Sequence, residues 1–259
     1  MTAGDGTSPY MLYSGWDGRG EFFFLMEICY CGIPGRPIGD GIDGHSWWPL
    51  FQSIPTEYLE AYYPVRIDGY TSLRDSGGAG RHRGGNGIEK RYVYLEPGEI
   101  SLHDYRWLTY PWGAVGGRPA MRSAKLLVRA DGTSERLPAK CDEIAIEPGD
   151  MLVYRTAAAG ETRWSAPGGL VEAEVRDGLI SAEKAEREYG VLIGDAAGTE
   201  RLRDRMRADR GEPADFDFGL PIDEILARAK EETGLDPPVR PEPLRWAAVD
   251  GRRHGGPAG

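Results

Sequence analysis

The central part of the chain is a series of short β-rich runs, each closed by a turn signal. The clearest runs combine aliphatic and tyrosine side chains, and they cover residues 92–95, 99–102, 125–128, 143–146 and 151–154. Pro-Gly pairs at 97–98 and 148–149 and an Asp-Gly pair at 131–132 separate them, and glycine suits such turns because it adopts a positive φ. Closely spaced strands of this kind predict a β-rich antiparallel sandwich or a barrel-like core.

Two features precede this β-rich part. A dense aromatic and aliphatic run fills residues 21–31 between two glycines, and its length and composition predict a buried central strand. The first twenty residues are glycine-rich and polar, and we expect them to form a loose lead-in. A short helix is predicted over 55–62, with Glu57 near its N-terminus, where the helix dipole favours a negative charge.

After Pro167 the sequence changes to helical patterns. Ser181 is a suitable N-cap for a helix that ends at Gly190, and further helices are predicted over 199–210 and 221–233. We therefore expect an α+β protein with two parts, a β-rich core over residues 1–166 and a helical C-terminal region over 167–259.

The last residues, 236–259, are rich in proline, arginine and glycine. They predict an extended tail, an arm that docks Leu244 and Trp246 on a neighbouring chain.

Composition excludes several functional classes. The chain has 31 Lys and Arg against 41 Asp and Glu, a net charge of -10, which argues against a nucleic-acid partner. No apolar stretch approaches 18 residues, so no membrane span is expected, and no secretory signal is visible. Three cysteines are too few for a disulfide framework, and a reducing cytoplasmic location is expected.

The most unusual segment is DSGGAGRHRGGNG at 75–87, which begins at Asp75 and contains Arg81 and Arg83. Backbone N–H groups of a glycine loop can hold an anion that the arginines would pair with. The segment lacks the Gly-Lys-Ser/Thr of a nucleotide-binding loop. A structural loop whose glycines allow close backbone packing is the favoured alternative.

Two other groups of residues are candidates for metal chemistry. Asp40, Asp43 and His45 are metal-ligand types close together in sequence, but Asp-Gly pairs are equally turn chemistry and no spaced histidine pair supports them. Cys29 and Cys31 fit buried small apolar side chains better than a thiolate site. No metal site is therefore predicted on this chain.

Several blocks together resemble the hydantoinase B/oxoprolinase family. They are DGIDGH at 40–45, IPTEYLE at 54–60, YPVR at 63–66, the 75–87 segment, PWG at 111–113, VGGRP at 115–119, EPGD at 147–150 and DGLIS at 177–181. The likeness covers roughly residues 20–193, and only the C-terminal half of the family's B-type chains is matched.

The resemblance implies a subunit of an ATP-dependent enzyme. One branch of the family opens cyclic amides such as hydantoins or 5-oxoproline, and another carboxylates ketones such as acetone or acetophenone. In both, a hydantoinase A-like partner is thought to use ATP and Mg to phosphorylate the substrate oxygen, which activates a poor leaving group. The hydantoinase B-type chain then carries a metal-assisted step.

The resemblance also shows what this chain does not match. The family segments that supply metal-ligating Asp and His have no counterpart, so a divalent transition metal or zinc is expected on a partner chain that carries the N-terminal half of the hydantoinase B sequence. Residues 157–159 are alanines where the family usually has glycines, which implies an altered loop.

The leading hypothesis is therefore a subunit of a hydantoinase/oxoprolinase-type cyclic amide hydrolase, inactive alone. The alternatives are a subunit of an acetophenone or acetone carboxylase-like complex and a non-catalytic scaffold. Catalytic residues are not assigned, and the candidates for substrate or subunit contact are His45, Glu57, Asp75, Arg81 and Arg83.

Overall fold

A computed structural model describes residues 2–4, 9–45, 52–161 and 166–236. The elements follow one another as β1 (Tyr10–Trp16), β2 (Phe22–Ile28), α1 (Thr56–Tyr62), β3 (Val65–Ser72), β4 (Ile88–Tyr94), β5 (Gly98–His103), β6 (Gly113–Ala114), β7 (Ala124–Val128), β8 (Ser134–Leu137), β9 (Lys140–Ile146), β10 (Met151–Arg155), α2 (Gly168–Arg176), α3 (Ala182–Tyr189), α4 (Ala196–Asp209), β11 (Phe216–Asp217) and α5 (Ile222–Thr233). The predicted α+β class is confirmed.

Two antiparallel sheets pack face to face as a sandwich. One has the strand order β2-β1-β5-β9 and the other β3-β4-β10-β7-β8, and neither closes into a barrel within the described residues. Tyrosines meet between the sheets, where the rings of Tyr13 and Tyr94 lie 4.7 Å apart and the Tyr94 hydroxyl lies 3.0 Å from the sulfur of Met11. All three side chains are fully buried, so the core lies between the sheets.

The first two strands correct two predictions. The expected loose lead-in contains β1, which pairs with both β2 and β5. The run at 21–31 forms β2, but among the described strands β2 lies at the edge of its sheet and not at the centre. Leu25 and Glu27 face the core, whereas Phe22 and Phe24 point outward and are more than half exposed. The dense apolar run therefore covers two different faces.

Two of the three predicted turn glycines adopt a positive φ. Gly132 has φ 86° in the turn between the paired strands β7 and β8, and Gly149 has φ 91° in the turn between β9 and β10, which lie in different sheets. Gly98 instead begins β5 with extended pairing, and the Tyr13 hydroxyl donates to the carbonyl of Glu96 beside it at 2.6 Å. The two Pro-Gly pairs consequently have different geometries.

The predicted helices are present, and one helix was missed. Ser181 caps α3 by accepting a hydrogen bond from the backbone of Lys184 at 3.0 Å, and Gly190 ends the helix with φ 64°. The predicted helix at 199–210 begins earlier, at Ala196, as α4. The missed helix α2 starts at Gly168-Gly169, two poor helix formers that hide its periodicity.

Helices α2 and α3 pack against the 75–87 segment, which connects β3 to β4. Val171, Ile180 and Ala185 form a second buried cluster with Ala79 of the 75–87 segment. The longest described helix, α4, has 14 residues and is rich in arginine, and no described helix is long and apolar enough to cross a bilayer. The predicted arm with Leu244 and Trp246 lies outside the described residues.

Candidate functional site

The glycine-rich segment 75–87 is stacked tightly against two other loops, and we call these three segments together the glycine layer. Its backbone bonds to the 32–44 loop through Gly85 and Ile33 at 2.9 Å, and to the 157–161 loop through Ala159 and Gly85 at 3.0 Å. A Cβ added to Gly84 would lie 1.8 Å from the carbonyl oxygen of Ala159. The structure thus confirms the close-packing interpretation, because these positions exclude any side chain.

Arg83 lies at the centre of this loop layer and is only 4% exposed. Its Nε donates to Oε1 of Glu174 on α2 at 2.9 Å, and its Nη1 donates to Oδ1 of Asp43 and to the carbonyl of Gly84, each at 2.8 Å. Its backbone N–H donates to Oδ1 of Asp40 at 2.9 Å. Asp40 and Asp43, considered above as metal ligands, therefore bind an arginine.

Burial and charge act in opposite directions in this cluster. Burial alone would lower the pKa of Arg83, but Asp43 and Glu174 raise it above its usual value. Burial raises the pKa of Glu174, with Arg83 opposing that change. The buried Tyr189 has a pKa well above the usual range, mainly because of its burial. Arg83 therefore stays charged and holds two carboxylates from distant segments.

Asp75 joins the glycine layer to the start of α3. Its Oδ1 accepts from the backbone of Ser181 at 2.6 Å, and its carbonyl accepts from Nζ of Lys184 at 2.9 Å. Asn86 adds a third link by donating to the carbonyl of Leu179 at 3.0 Å. These contacts of Asp75 and Asn86 thus hold the glycine layer against residues 179–184 at the start of α3.

An aromatic cleft of about 1080 Å³ lies on the other side of the 111–121 loop. One wall is this loop, including Trp112 and Arg118, and the opposite wall comes from residues 209–225, including Phe216 and Phe218. The rings of Trp112 and Phe218, one from each wall, contact each other with their centroids 5.9 Å apart. β11 pairs with β6 and fixes the two walls against each other.

A polar groove of about 530 Å³ adjoins the cleft and shares Tyr110, Arg118 and Asp217 with it. Asp75 and Lys184 line the groove on the side of the glycine layer. The combined site offers aromatic surface at one end and alternating positive and negative side chains at the other. Such a surface is suited to a ligand with a flat apolar part and a polar end.

Strained backbone is concentrated at this combined site. Asp75, which lines the groove, has φ 67°, and Arg106, which lines the cleft, has φ 57°. Val115, next to the cleft residue Gly116, has φ 51°, which is rare for a β-branched side chain. Because strained residues cluster at functional positions, this supports the cleft and groove as the candidate site.

The other predicted site residues lie apart from this cleft. His45 is exposed and forms a backbone bridge with Cys31. Glu57 lies in the first turn of α1, which packs on β3. Arg81 is exposed on the glycine layer. The structure therefore brings Asp75, Arg81 and Arg83 to one layer, places His45 at the end of the 32–44 loop beside it, and leaves Glu57 on α1.

Within the described ranges, no group of three or more His, Cys, Asp or Glu side chains is placed to hold a metal ion. Cys29 and Cys31 are both buried, as predicted, and burial raises the pKa of Cys29 to about 11. Ala157, Ala158 and Ala159 are fully buried and lack a positive φ. The alanine loop is thus part of the packed layer.

The far wall of the cleft was not found from the sequence. The signal was the alternation Phe216-Asp217-Phe218 before Pro221, which fits a short strand with two aromatic side chains on one face. Ile222, the first residue of α5, is 53% exposed and lines the cleft. Ile225 and Ala229 of the same helix are buried.

Comparison with known proteins defines the class. The family model "Hydantoinase B/oxoprolinase" matches residues 1–161, so the chain belongs to this family. It is 29% identical over 203 residues to the hydantoinase B chain of a putative D-/L-hydantoinase from Pseudomonas sp. strain NS671, a match that covers 76% of this chain and 34% of that protein. It is 32% identical over 181 residues to the beta chain of the caprolactamase of Pseudomonas jessenii, covering 62% and 30%.

A solved structure of acetone carboxylase shares the fold. The superposition has a TM-score of 0.67 at 18% identity and covers 89% of this chain and 36% of that one. This chain therefore spans about a third of the length of each of these proteins. The glycine layer and the near wall of the cleft lie inside the family match, and the far wall lies outside it.

Proposed function

We propose that this chain works as the C-terminal half of a hydantoinase B-type subunit in an ATP-dependent enzyme that opens cyclic amides. The observation that carries the proposal is the family match over residues 1–161. The relatives named above include a hydantoinase chain and a caprolactamase chain, whose names point to cyclic amides as substrates.

The proposal requires partner chains, and we assign the ATP-dependent step and the metal site to them. A hydantoinase A-like partner would use ATP and Mg to activate the amide oxygen, and a chain with the N-terminal half of the hydantoinase B sequence would hold a divalent transition metal or zinc. The coverage of about a third of each relative supports the presence of further polypeptide in the active assembly.

Within this assembly, we assign the cleft and groove to substrate or subunit contact. Trp112 and Phe218 would hold an apolar ring, while Arg118 at the junction with the groove would face a polar end. We propose Arg81 and the exposed His45 and Glu57 as subunit contacts. Arg83 acts as a positioning residue, because its guanidinium is occupied by Asp43 and Glu174.

Two alternatives have support of their own. The shared fold of acetone carboxylase favours a ketone carboxylase-type subunit. The use of Arg83 and Asp75 in contacts within the chain favours a non-catalytic scaffold. The division into a core over 1–166 and a helical region over 167–259 also stays a proposal.

Reconstitution of the complex with the chains encoded beside this one distinguishes the alternatives. A hydrolase releases ADP with a hydantoin, 5-oxoproline or caprolactam in the absence of bicarbonate, whereas a carboxylase needs bicarbonate and a ketone. A scaffold tolerates Phe218→Ala in turnover, while a substrate-contacting cleft loses activity with this variant. Turnover by the purified chain alone, at a rate typical of enzymes, would refute the partner requirement.

A further inference from the structure

One face of the four-stranded sheet carries an exposed apolar strip, which we call the β1–β2 face. Trp16 is 65% exposed, and Phe22, Phe24 and Met26 are 59%, 53% and 46% exposed. The cross-strand register places Trp16 opposite Phe22 and Leu12 opposite Met26, so these side chains form one continuous surface. Trp16 and Phe22 contact each other edge to face, with ring centroids 5.3 Å apart.

The alternation along β2 shows that this face does not result from a register error. Leu25 is 1% exposed and Glu27 is also 1% exposed, with its Oε1 accepting from Nζ of Lys90 at 2.8 Å in the core. A shift by one residue would expose Leu25 and break this buried ion pair. The observed register is therefore the one that buries Leu25 and keeps the Glu27–Lys90 ion pair, and in this register the outward side chains of β2 are apolar.

The strip is confined to the edge of the sheet. Further across the same sheet the side chains become polar, including Ser101 and His103 on β5 and Asp142 on β9. β2 itself has no partner strand on its outer side among the described elements, and its outward positions carry no charge. Natural edge strands of this kind are normally protected by charges, proline or a covering element.

The size and rim of the face match a protein interface. A fully covered aromatic side chain buries roughly 150–250 Å², so four side chains exposed by about half offer on the order of 400 Å². That is about half of the ~800 Å² that each partner contributes to a standard interface. At the rim, Arg19 pairs with Asp17 at 2.8 Å and with Glu21 at 3.5 Å, so an apolar centre has a charged border.

We propose that the β1–β2 face binds the chain that carries the rest of the hydantoinase B sequence, with a β-strand of that chain added to the edge of β2. This inference rests on the proposed function. About two thirds of the length of these relatives lies outside the match, and the β1–β2 face is a large apolar surface left uncovered by the described residues.

Charge disfavours a second copy as the occupant. Two copies of a chain with a net charge of -10 repel each other, whereas a partner with a neutral or basic rim does not. The partner's chemistry is thus an apolar strand face with few acidic residues around it.

Met26→Glu and Ile193→Glu form a matched pair for the test, because both wild-type side chains are 46% exposed and only Met26 lies on the face. The full-length chain and the neighbouring gene product that carries the remaining hydantoinase B sequence are mixed, and Kd is measured by calorimetry. Met26→Glu should weaken binding at least tenfold, and Ile193→Glu should leave it within twofold. Circular dichroism and the unfolding midpoint of each variant check that the fold is retained.

Several outcomes overturn the inference. They are equal binding by the Met26→Glu and Ile193→Glu proteins, absence of binding by the wild-type chain, and a wild-type dimer that Met26→Glu dissociates in sedimentation velocity. If the complex forms and turns over a lactam, and Met26→Glu does not change the Kd, the surface assignment fails while the proposed function survives. If Met26→Glu abolishes binding but the intact complex uses no cyclic amide, the function fails and the surface stands.

Discussion

Replacing Arg83 by alanine should be among the most destabilising single changes in this chain. The side chain is 4% exposed and its nitrogen atoms lie 2.8 Å from Asp43 and 2.9 Å from Glu174. Removal of one partner from a buried ion pair costs about 3–5 kcal/mol, because a carboxylate stays buried without its counter-charge. Most of this cost falls on Glu174, whose side chain is 10% exposed against 23% for Asp43.

The assay is urea unfolding followed by fluorescence and circular dichroism, with thermal unfolding as a second measure. For a chain of this size 3–5 kcal/mol corresponds to a fall in Tm of about 6–20 °C. Arg81→Ala is the control, since this arginine lies two residues away, is exposed, and should change the free energy of unfolding by less than about 0.5 kcal/mol.

A double variant separates charge from packing. Arg83→Met combined with Glu174→Leu removes the guanidinium and the more buried of its two carboxylate partners. The double variant should be more stable than either single variant, as found when buried ion pairs are replaced by apolar side chains. If the Arg83→Ala protein is within about 1 kcal/mol of the Arg81→Ala protein, or if the double variant loses the sum of the single losses, the buried-pair explanation is wrong.

Three further predictions concern the same structural parts. Gly84→Ala should lower the free energy of unfolding by about 3 kcal/mol or more, because its Cβ would meet the Ala159 oxygen. The control Gly168→Ala, at an open helix position, should be neutral or stabilising by up to about 1 kcal/mol. A similar effect of both substitutions would refute the packing argument. Asp75→Ala should cost about 1–2 kcal/mol through the lost bond to Ser181, and Asp75→Asn clearly less, since asparagine keeps an acceptor and tolerates the positive φ; equal losses in urea unfolding would contradict this. Burial alone would raise the pKa of Asp150, but hydrogen bonds from the Glu147 and Ala130 amides and from Arg129 bring it below the usual value. Its stabilising contribution is present above the unfolded pKa of about 3.9 and is lost as the pH falls through the folded value, so Asp150→Asn should lower stability at pH 7 and flatten its decline below about pH 4; a parallel pH profile would exclude Asp150 as a cause.

The sequence predicts local structure here better than it predicts exposure. Turn and cap residues such as Gly132, Ser181 and Gly190 act within a few residues, so their effect can be seen without the tertiary fold. The place of β2 at an edge depends on which strands pair across the sheet, and the pattern of 21–31 contains no information about a missing neighbour. The first strand was missed because it has only seven residues, and the glycine-rich residues on either side hid its β-strand composition.

The candidate site shows the same limit. The 75–87 segment and the blocks at 111–113 and 115–119 can be picked out in the sequence, but their neighbours in space cannot. Gly85 bonds to Ile33, 52 positions away, and Arg83 bonds to Glu174, 91 positions away. Arg83 was expected to lie near a site or a subunit contact, and only the fold shows that Asp43 and Glu174 already bind it. The far wall of the cleft depends on the pairing of β11 with β6, a contact between residues about 100 positions apart.

The stacked loops around Gly84 and Gly85 have a consequence for how this region can evolve. Elsewhere in the molecule an apolar side chain can be exchanged for another of similar volume, and the fold adapts. At these glycines the space is filled by main-chain atoms, which no substitution elsewhere can make smaller. A side chain at these positions would require whole backbone segments to move together. The shape of this region should therefore vary little, even where the surrounding side chains differ.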